Sequence, residues 1–303
     1  MTRGTSDIPL PKGIHRIFAL PDADLSALWD SIVMDESAKE QLLAQAIANF
    51  TVRAKVDHSV IPMHGVILLV GPPGTGKTSL AKGLASQVAK VFKGAKLRLL
   101  EVDPHGLTSS AMGKTQRAVA DLFSQSIAEA AMTGPTIVLL DEVETLAADR
   151  SKLSLEANPV DVHRATDAVL VQLDMLAEQH PNLLFVATSN FPQAVDSAFL
   201  SRCDLVMEVP LPGKDACKTI LTACLAGVAK QFPKIGELAS HHSFGACAAE
   251  CEGLDGRAIR KVVANALAAS KETAIDPNTV TIDQLHTAIK RAKRARLQKE
   301  KAQ

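Results

Sequence analysis

The chain has 303 residues, and its 33 basic and 33 acidic side chains give a formal net charge of zero. With nine Phe, one Trp and no Tyr, it lacks both the positive charge and the aromatic platforms that nucleic-acid binding uses, so nucleic acid is an unlikely partner. Its five cysteines suggest no disulfide framework, and no run of about 18 apolar residues predicts a membrane span. We therefore expect a cytoplasmic protein with no membrane partner, long enough for two domains.

The first two thirds of the chain alternate between short apolar runs and helical patterns. Residues 1–23, with three prolines, predict an extended N-terminal arm. A helical pattern runs from Asp24 to about Val56. The apolar runs that follow predict five buried strands: VILLV (66–70), LRLLEVD (97–103), TIVLLD (136–141), LLFVATS (183–189) and DLVMEVP (204–210). Helices between the strands predict an α/β fold, in which a parallel five-stranded sheet carries helices on both faces in three layers.

The strand pattern stops after Pro212, and the rest of the chain reads as helices. We place these helices at about 214–231, 234–251, 256–272 and 282–300. The sequence therefore predicts a large α/β domain over 24–212 and a smaller all-helical domain over 213–303.

A phosphate-loop pattern, GPPGTGKT (71–78), follows the first predicted strand and opens a helix. Its glycines let backbone N–H groups turn toward phosphates, and the helix N-terminus adds partial positive charge. Lys77 is predicted to contact the β- and γ-phosphates, and the Thr78 hydroxyl to ligate Mg²⁺. We therefore predict that Mg-ATP binds along this segment, at Gly71, Pro72, Pro73, Gly74, Thr75, Gly76, Lys77, Thr78 and Ser79. The alternative is a glycine-rich turn without a ligand.

Acidic and amide side chains follow two of the other predicted strands. Asp141 and Glu142 end the third strand, and Asn190 follows the fourth. Because the carboxyl ends of parallel strands meet where α/β proteins bind ligands, we expect these groups to lie together. Asp141 is predicted to hold Mg²⁺, and Glu142 to activate the attacking water as a general base. Asn190 is predicted to hold that water or touch the γ-phosphate.

Two arginines are further candidates for contacting the nucleotide. Arg202, in DSAFLSRCD (196–204), is a candidate arginine finger for the nucleotide of a neighbouring subunit. The alternative for Arg202 is a surface ion pair with Asp204. Arg257, in GLDGRAIRKV (253–262), would reach the nucleotide from the helical domain, and its alternative is the solvated start of a helix.

The order of these motifs resembles that of AAA+ ATPases over about residues 24–290. Several segments look more specifically like the pachytene-checkpoint-type members: LWDSIVMDESAKEQLL (28–43), DEVETLAADR (141–150), ATDAVLVQLD (165–174) and TSNFPQAVDSAFLSRCD (188–204). The resemblance implies an ATP hydrolase that acts as a homo-oligomer, a hexameric ring, with the helical domain as its lid. Its implied client is a HORMA-domain protein, converted from the closed to the open state by pulling a flexible segment through the pore. Bacterial members, which this short chain is similar to, act in anti-phage signalling.

The resemblance also assigns SSAMGK (109–114) as the central pore loop, with Ala111, Met112 and Gly113 at its centre. Many related rings have an aromatic residue where this chain has Ala111, so the grip on a client would rest on Met112. About 23 residues precede the matching region, so we expect client recognition without the N-terminal domain of the eukaryotic members.

Two other classes remain open. A DNA-directed AAA+ ATPase of the clamp-loader or initiator type would need a basic ring lining or a DNA-binding appendage, which the neutral composition does not favour. A nucleotide-dependent scaffold that does not hydrolyse ATP is disfavoured by the complete set of Lys77, Asp141 and Glu142.

Overall fold

The computed structural model describes residues 10–102, 114–147 and 159–302. These residues form two compact units. The larger unit takes its residues from 1–30, 36–70 and 77–208, and the smaller unit from 31–35, 71–76 and 209–303. The smaller unit thus includes the loop GPPGTG, whereas the boundary predicted at 212 assigns that loop to the α/β domain. Across the described ranges, no helix has the length and apolar content needed to cross a membrane.

The larger unit is built on a six-stranded sheet. Its strands are β1 (Ile14–Ala19), β2 (Val66–Val70), β3 (Arg98–Val102), β4 (Thr136–Leu140), β5 (Leu183–Ser189) and β6 (Leu205–Glu208). They lie in the spatial order β1-β3-β4-β5-β2-β6. All neighbouring pairs are parallel except β1 with β3, which is antiparallel. The predicted parallel five-stranded sheet is confirmed for β2 to β6, and β1 extends it by a sixth strand.

Strand β1 lies within residues 1–23, which the sequence predicts to be an extended arm. It pairs with β3 from Ile14 opposite Val102 to Ala19 opposite Arg98. Ile14 is the one fully buried residue of the strand. An edge strand that leaves most of its side chains exposed has no continuous apolar run, so the strand pattern did not indicate it.

The interior strands form the core because both faces of the sheet are covered. Every residue of β2, β4 and β5 is buried. Val66, Leu68 and Val70 belong to a core cluster that includes the stacked rings of Phe123 and Phe185, whose centroids are 5.8 Å apart. The residues between them in β2 are also fully buried, on the opposite face. This burial explains why the strands appear in the sequence as continuous apolar runs.

Helices α1 (Ala23–Ser31) and α2 (Glu36–Thr51) replace the single helical stretch predicted from Asp24 to about Val56. The break falls at residues 32–35, where Val33 packs against the core of the smaller unit. Apolar residues in this break keep the helical spacing of the sequence pattern although they lie between the two helices. The pattern therefore did not reveal the break. The other helices of the larger unit are α3 (Lys77–Val91), α4 (Lys114–Asp121), α5 (Ala128–Thr133), α6 (Pro159–Gln179) and α7 (Ser197–Leu200), with a π-helical turn, Leu122–Ile127, between α4 and α5.

A partly buried arginine fixes the entry to β2. The guanidinium of Arg53 donates to the carbonyl oxygens of Leu183 at 2.7 Å and Ala177 at 3.0 Å. Burial lowers the pKa of Arg53, and the carboxylate of Asp204 partly offsets that effect. Gly65, with a φ of 74°, lies directly against this group. A Cβ at position 65 would overlap the guanidinium and lie 2.9 Å from the Leu183 carbonyl oxygen, so only glycine fits.

In the described residues of the smaller unit, the regular secondary structure is helical. Its α-helices are α8 (Lys214–Ala229), α9 (Phe244–Glu250), α10 (Gly256–Leu267), α11 (Lys271–Ile275) and α12 (Ile282–Ala302), with 3-10 turns at Pro233–Ser240 and Pro277–Thr279. The predicted helix 234–251 is thus divided between a 3-10 segment and α9, and the predicted helix 256–272 ends at Leu267. Leu221, Phe244 and Leu285 lie in its core beside Cys251, whose thiol pKa is raised to about 12 by burial.

Candidate active site

The predicted site residues of the larger unit converge because their strands are neighbours. Strand β5 lies between β4 and β2, with Leu140 opposite Ala187 and Val70 opposite Ser189. The residues that follow the carboxyl ends of these three strands therefore lie side by side. Asp141 and Glu142 follow β4, Asn190 follows β5, and Lys77 begins α3, the helix after β2. The structure thus brings together residues that are up to 113 positions apart in the chain.

A hydrogen-bonded chain links the lysine to the predicted base. Lys77 is 5% exposed, and its Nζ donates to Oδ1 of Asn190 at 2.9 Å. The Nδ2 of Asn190 donates in turn to Oε1 of Glu142 at 3.2 Å. An ammonium only donates and a carboxylate only accepts, so these neighbours fix which way the amide points. Asn190 is therefore held between the positive and the negative group of the site.

A second group of hydrogen bonds converges on Asp141. Its Oδ1 accepts from the hydroxyl of Thr78 at 2.8 Å and from the hydroxyl of Thr188 at 2.5 Å. Thr78 and Asp141 thus present two oxygen atoms at one point. Mg²⁺ prefers oxygen ligands such as hydroxyl and carboxylate groups, so this pair of oxygen atoms suits the predicted metal.

Glu142 has an unusual backbone. Its φ of 53° and ψ of 55° lie in the left-handed region, and it is the one non-glycine residue with positive φ in the described part of the chain. Such a conformation costs roughly 1–3 kcal/mol and persists where the surroundings hold it. The N–H of Glu142 donates to the Thr188 hydroxyl at 3.1 Å. Glu144 accepts the N–H of Asn190 on Oε1 at 3.1 Å, and its Oε2 is buried without a hydrogen bond.

Residues 71–76 of the phosphate loop belong to the smaller unit, where the three glycines are packed closely. Gly71, Gly74 and Gly76 have φ values of 148°, 83° and 96°. Added Cβ atoms would overlap the Val209 carbonyl at Gly71, the Asp255 carboxylate at Gly74 and the Ile32 side chain at Gly76. The loop therefore requires glycine for its conformation and for its packing. Thr75 is buried and donates to the carbonyl oxygen of Pro72 at 3.0 Å, while Pro73 is exposed.

Arg257 meets the same loop through its backbone. Its N–H donates to the carbonyl oxygen of Gly74 at 3.3 Å, and its side chain is exposed. The preceding Asp255 caps helix α10 by accepting the N–H of Ala258 at 2.9 Å. Ser79 lies in the first turn of α3 and is partly buried.

Arg202 is held by an acid that the sequence did not indicate. Its Nε and Nη2 donate to the two carboxylate oxygens of Asp174 at 2.6 and 2.7 Å, and its Nη1 donates to the Ala198 carbonyl at 2.7 Å. The hydrogen bond from Arg202 holds the pKa of Asp174 below its usual value and raises that of Arg202. The alternative partner Asp204 was wrong, because its carboxylate accepts three backbone N–H groups, those of His64, Gly65 and Val66.

Some predicted residues lie outside the described part of the chain, and some contacts were not predicted. Ala111, Met112 and Gly113 of the proposed pore loop fall between the described ranges. The contacts of Thr188 and Glu144 were not predicted, although Thr188 lies two residues before Asn190 and Glu144 two residues after Glu142. Successive side chains of a strand point to opposite faces, so Thr188 and Ser189 of β5 lie on different faces. This alternation is the one feature of the sequence that indicates where the Thr188 side chain points.

Comparisons with known proteins show which family the chain belongs to. A model of the AAA family, the ATPase family associated with various cellular activities, matches residues 67–211. The chain is 76% identical over 294 residues to CD-NTase-associated protein 6 of Pseudomonas aeruginosa, covering 97% of both proteins. It is 37% identical over 213 residues to a pachytene checkpoint protein 2 homologue of Oryza sativa subsp. indica, covering 69% of this chain and 45% of the rice protein.

Two solved structures share the fold. The structure of C. elegans PCH-2 matches with a TM-score of 0.75 and 27% identity, covering 97% of this chain and 78% of PCH-2. A chain of the E. coli MS115-1 HORMA:CdnC:Trip13 complex matches with a TM-score of 0.72 and 17% identity, covering 92% of this chain and 95% of that chain. The chain described here therefore belongs to the AAA family of ATPases, together with CD-NTase-associated protein 6 and the pachytene checkpoint protein 2 homologues.

Proposed function

We propose that this ATPase uses Mg-ATP to remodel a HORMA-domain protein from its closed to its open state, as a homo-hexameric ring that pulls a flexible segment of its client. The pathway proposed for it is bacterial anti-phage signalling in the cytoplasm. The P. aeruginosa relative is named for association with a CD-NTase, and the rice relative as a pachytene checkpoint protein. All five cysteines are free thiols, which is in keeping with a reducing compartment.

The observation that carries the proposal is the hydrogen-bonded chain from Lys77 through Asn190 to Glu142. It holds a buried positive group and an acid on opposite sides of one amide. That order suits hydrolysis of a phosphoanhydride, because the positive group attracts the phosphates while the acid faces the attacking water. The paired oxygens of Thr78 and Asp141 fit the same ligand.

Each residue then has a defined task. Lys77 binds the phosphates, and Asn190 orients the attacking water from its fixed amide. Glu142 accepts the proton that this water loses. Thr78 and Asp141 would hold Mg²⁺, which when bound neutralises charge that develops on the transferred phosphoryl group.

We assign Arg202 to the nucleotide of a neighbouring subunit and Arg257 to the nucleotide of its own chain. Asp174 and the Ala198 carbonyl accept three of the five N–H donors of Arg202 and hold its side chain in place. These bonds leave one N–H on Nη1 and one on Nη2, and two such parallel donors suit bidentate binding of phosphate oxygens. Arg257 supports its assignment by its exposed side chain, which lies in the first turn of the helix that begins at Gly256 and that Asp255 caps.

The chemistry is tested with Glu142→Gln. This variant should bind ATP as the unchanged protein does but hydrolyse it about 100-fold more slowly or worse, because a general base contributes of order 10²–10⁴. Lys77→Ala should weaken nucleotide binding itself. Glu129→Gln is the matched control, since Glu129 is an exposed acid on α5 and should leave turnover unchanged. Near-normal hydrolysis by Glu142→Gln would refute the assignment of the base.

The assembly is tested by mixing variants. Arg202→Ala should hydrolyse ATP slowly with nearly unchanged nucleotide affinity. Mixed with Glu142→Gln protein, it should regain activity, because a mixed ring contains interfaces with an intact Glu142 and an intact Arg202. An absence of recovery despite demonstrated subunit exchange would contradict action between subunits.

The client is tested with a purified HORMA-domain protein that has a flexible terminal segment. It should stimulate ATP hydrolysis, and deletion of the segment should abolish the stimulation. Met112→Asp should stop remodelling while basal hydrolysis continues, because Met112 has no part in the chemistry. If no HORMA-domain protein is bound in the presence of ATP by the Glu142→Gln variant, the proposed client is wrong and the ATPase assignment still stands.

A further inference from the structure

The hydroxyl of Thr188 lies between the two adjacent acids of the site. Thr188 is the sixth residue of β5 and is 2% exposed. Its Oγ1 accepts the N–H of Glu142 at 3.1 Å and donates to Oδ1 of Asp141 at 2.5 Å. One buried hydroxyl is thus bonded to the backbone of one acid and to the side chain of the other.

The direction of both bonds follows from chemistry. An N–H group only donates, and an ionised carboxylate only accepts, so the hydroxyl proton must point to Asp141 and a lone pair to Glu142. A hydroxyl has one proton, and here it is committed. Valine has the same shape and neither function, whereas serine keeps both.

We propose that Thr188 is a positioning residue for ATP hydrolysis, which holds Glu142 where it can act as the base. The inference rests on the proposed role of Glu142. Glu142 reaches Asn190 from a left-handed backbone conformation, which a non-glycine residue does not favour by itself. The bond from its N–H to Thr188 is the contact in β5 that holds this conformation. Without the hydroxyl, the Glu142 N–H loses its acceptor, so the backbone conformation that directs the carboxylate toward Asn190 loses this support.

Position matters more here than affinity. A displacement of about 1 Å at a reacting group lowers the rate by up to about 100-fold, even where binding is unaffected. Thr188→Val should therefore lower kcat about 10- to 100-fold while KM and the affinity for nucleotide change less than about twofold. A defect limited to folding would instead lower the fraction of active protein and leave the kcat of that fraction unchanged.

Three matched variants separate the hydroxyl's role from packing. Thr188→Ser keeps the hydroxyl and should retain most of the rate. Thr166→Val removes a fully buried hydroxyl that has no hydrogen bond and should leave kcat unchanged. Thr136→Val removes a hydroxyl at the other end of β4 whose one proton is within reach of the Gly134 carbonyl at 3.0 Å or the Ala130 carbonyl at 3.3 Å. It should lower the unfolding midpoint without lowering kcat.

The decisive measurement adds Thr188→Val to Glu142→Gln in single-turnover hydrolysis. Because Thr188 acts through Glu142, the second change should reduce the residual rate less than about twofold. An equal loss in both backgrounds, a normal kcat for Thr188→Val, or a Thr188→Ser rate as low as that of Thr188→Val would each overturn the inference. Normal hydrolysis by Glu142→Gln would instead overturn the proposed function, so the two failures are distinguishable.

Discussion

Gly83 is the place where a single methyl group should disturb the larger unit most clearly. It is buried in the middle of α3, the helix that begins with Lys77 and Thr78. A Cβ at position 83 would lie 2.7 Å from both Cβ and N of Trp29 and 2.8 Å from its Cα. These atoms belong to the backbone and the side-chain root of α1, so rotation of a side chain cannot relieve the overlap. Gly83→Ala must therefore move α1 relative to α3.

Two opposing effects set the magnitude. Alanine in place of glycine inside a helix favours folding by about 1 kcal/mol. Forcing an extra methyl group into a packed interior costs about 1–3 kcal/mol, and a contact with backbone belongs near the upper end. The net expectation for Gly83→Ala is a loss of about 1–2 kcal/mol. Gly227→Ala is the matched control, because Gly227 lies within α8 with nothing within 4 Å of its added Cβ. That variant should gain about 1 kcal/mol.

The assay is urea unfolding followed by the fluorescence of Trp29, which is the one tryptophan of the chain. Gly83→Ala should lower the midpoint and change the emission of the folded protein, since Trp29 itself is displaced. Gly227→Ala should leave the native emission unchanged, and its stability gain is measured by circular dichroism. If Gly83→Ala is stabilised as much as Gly227→Ala and its emission is unaltered, then α1 does not contact α3 as described.

Two further predictions concern the entry to β2. Gly65→Ala should destabilise the protein by about 2–4 kcal/mol, because its Cβ overlaps the partly buried Arg53 guanidinium. Gly94→Ala should cost only about 1–2 kcal/mol of backbone strain, since its φ is 90° and its surroundings are open. Urea midpoints compare the two variants, and equal losses would contradict the overlap. Burial and the neighbouring His58 lower the pKa of His64 below 6.5. Its contribution to stability is therefore present above pH 6.5 and is lost as the pH falls through the lower folded pKa, so His64→Gln should flatten the decline of the unfolding midpoint between about pH 7.5 and 5.

The sequence predicts the central strands of the larger unit well, because the burial of these strands determines their residue pattern. Strands that are covered on both faces are continuous apolar runs, and polar residues at their carboxyl ends must meet at one edge of the sheet. The positions of Lys77, Asp141 and Asn190 follow from these two facts. The pairing of β4 with β5, and the hydrogen bonds of Asn190 to Lys77 and Glu142, agree with the expectation that these groups lie together.

The remaining features depend on contacts that no local pattern encodes. Strand β1 is defined by its pairing with β3, and most of its side chains are exposed. The partner of Arg202 is Asp174, 28 residues away on α6, while the nearer Asp204 is occupied by backbone N–H groups. The N–H of Glu142, which has a left-handed conformation, donates to a hydroxyl from another strand. In each case the deciding partner lies far away in the chain.

The arrangement of Arg53, Gly65 and Asp204 also constrains how this family can diverge. The guanidinium fills the volume that a side chain at position 65 would need, and Asp204 both accepts the Gly65 N–H and offsets the lowering of the Arg53 pKa. A side chain at position 65 therefore requires the guanidinium to move or to be replaced. Homologues with a side chain at position 65 are expected to have replaced the arginine as well.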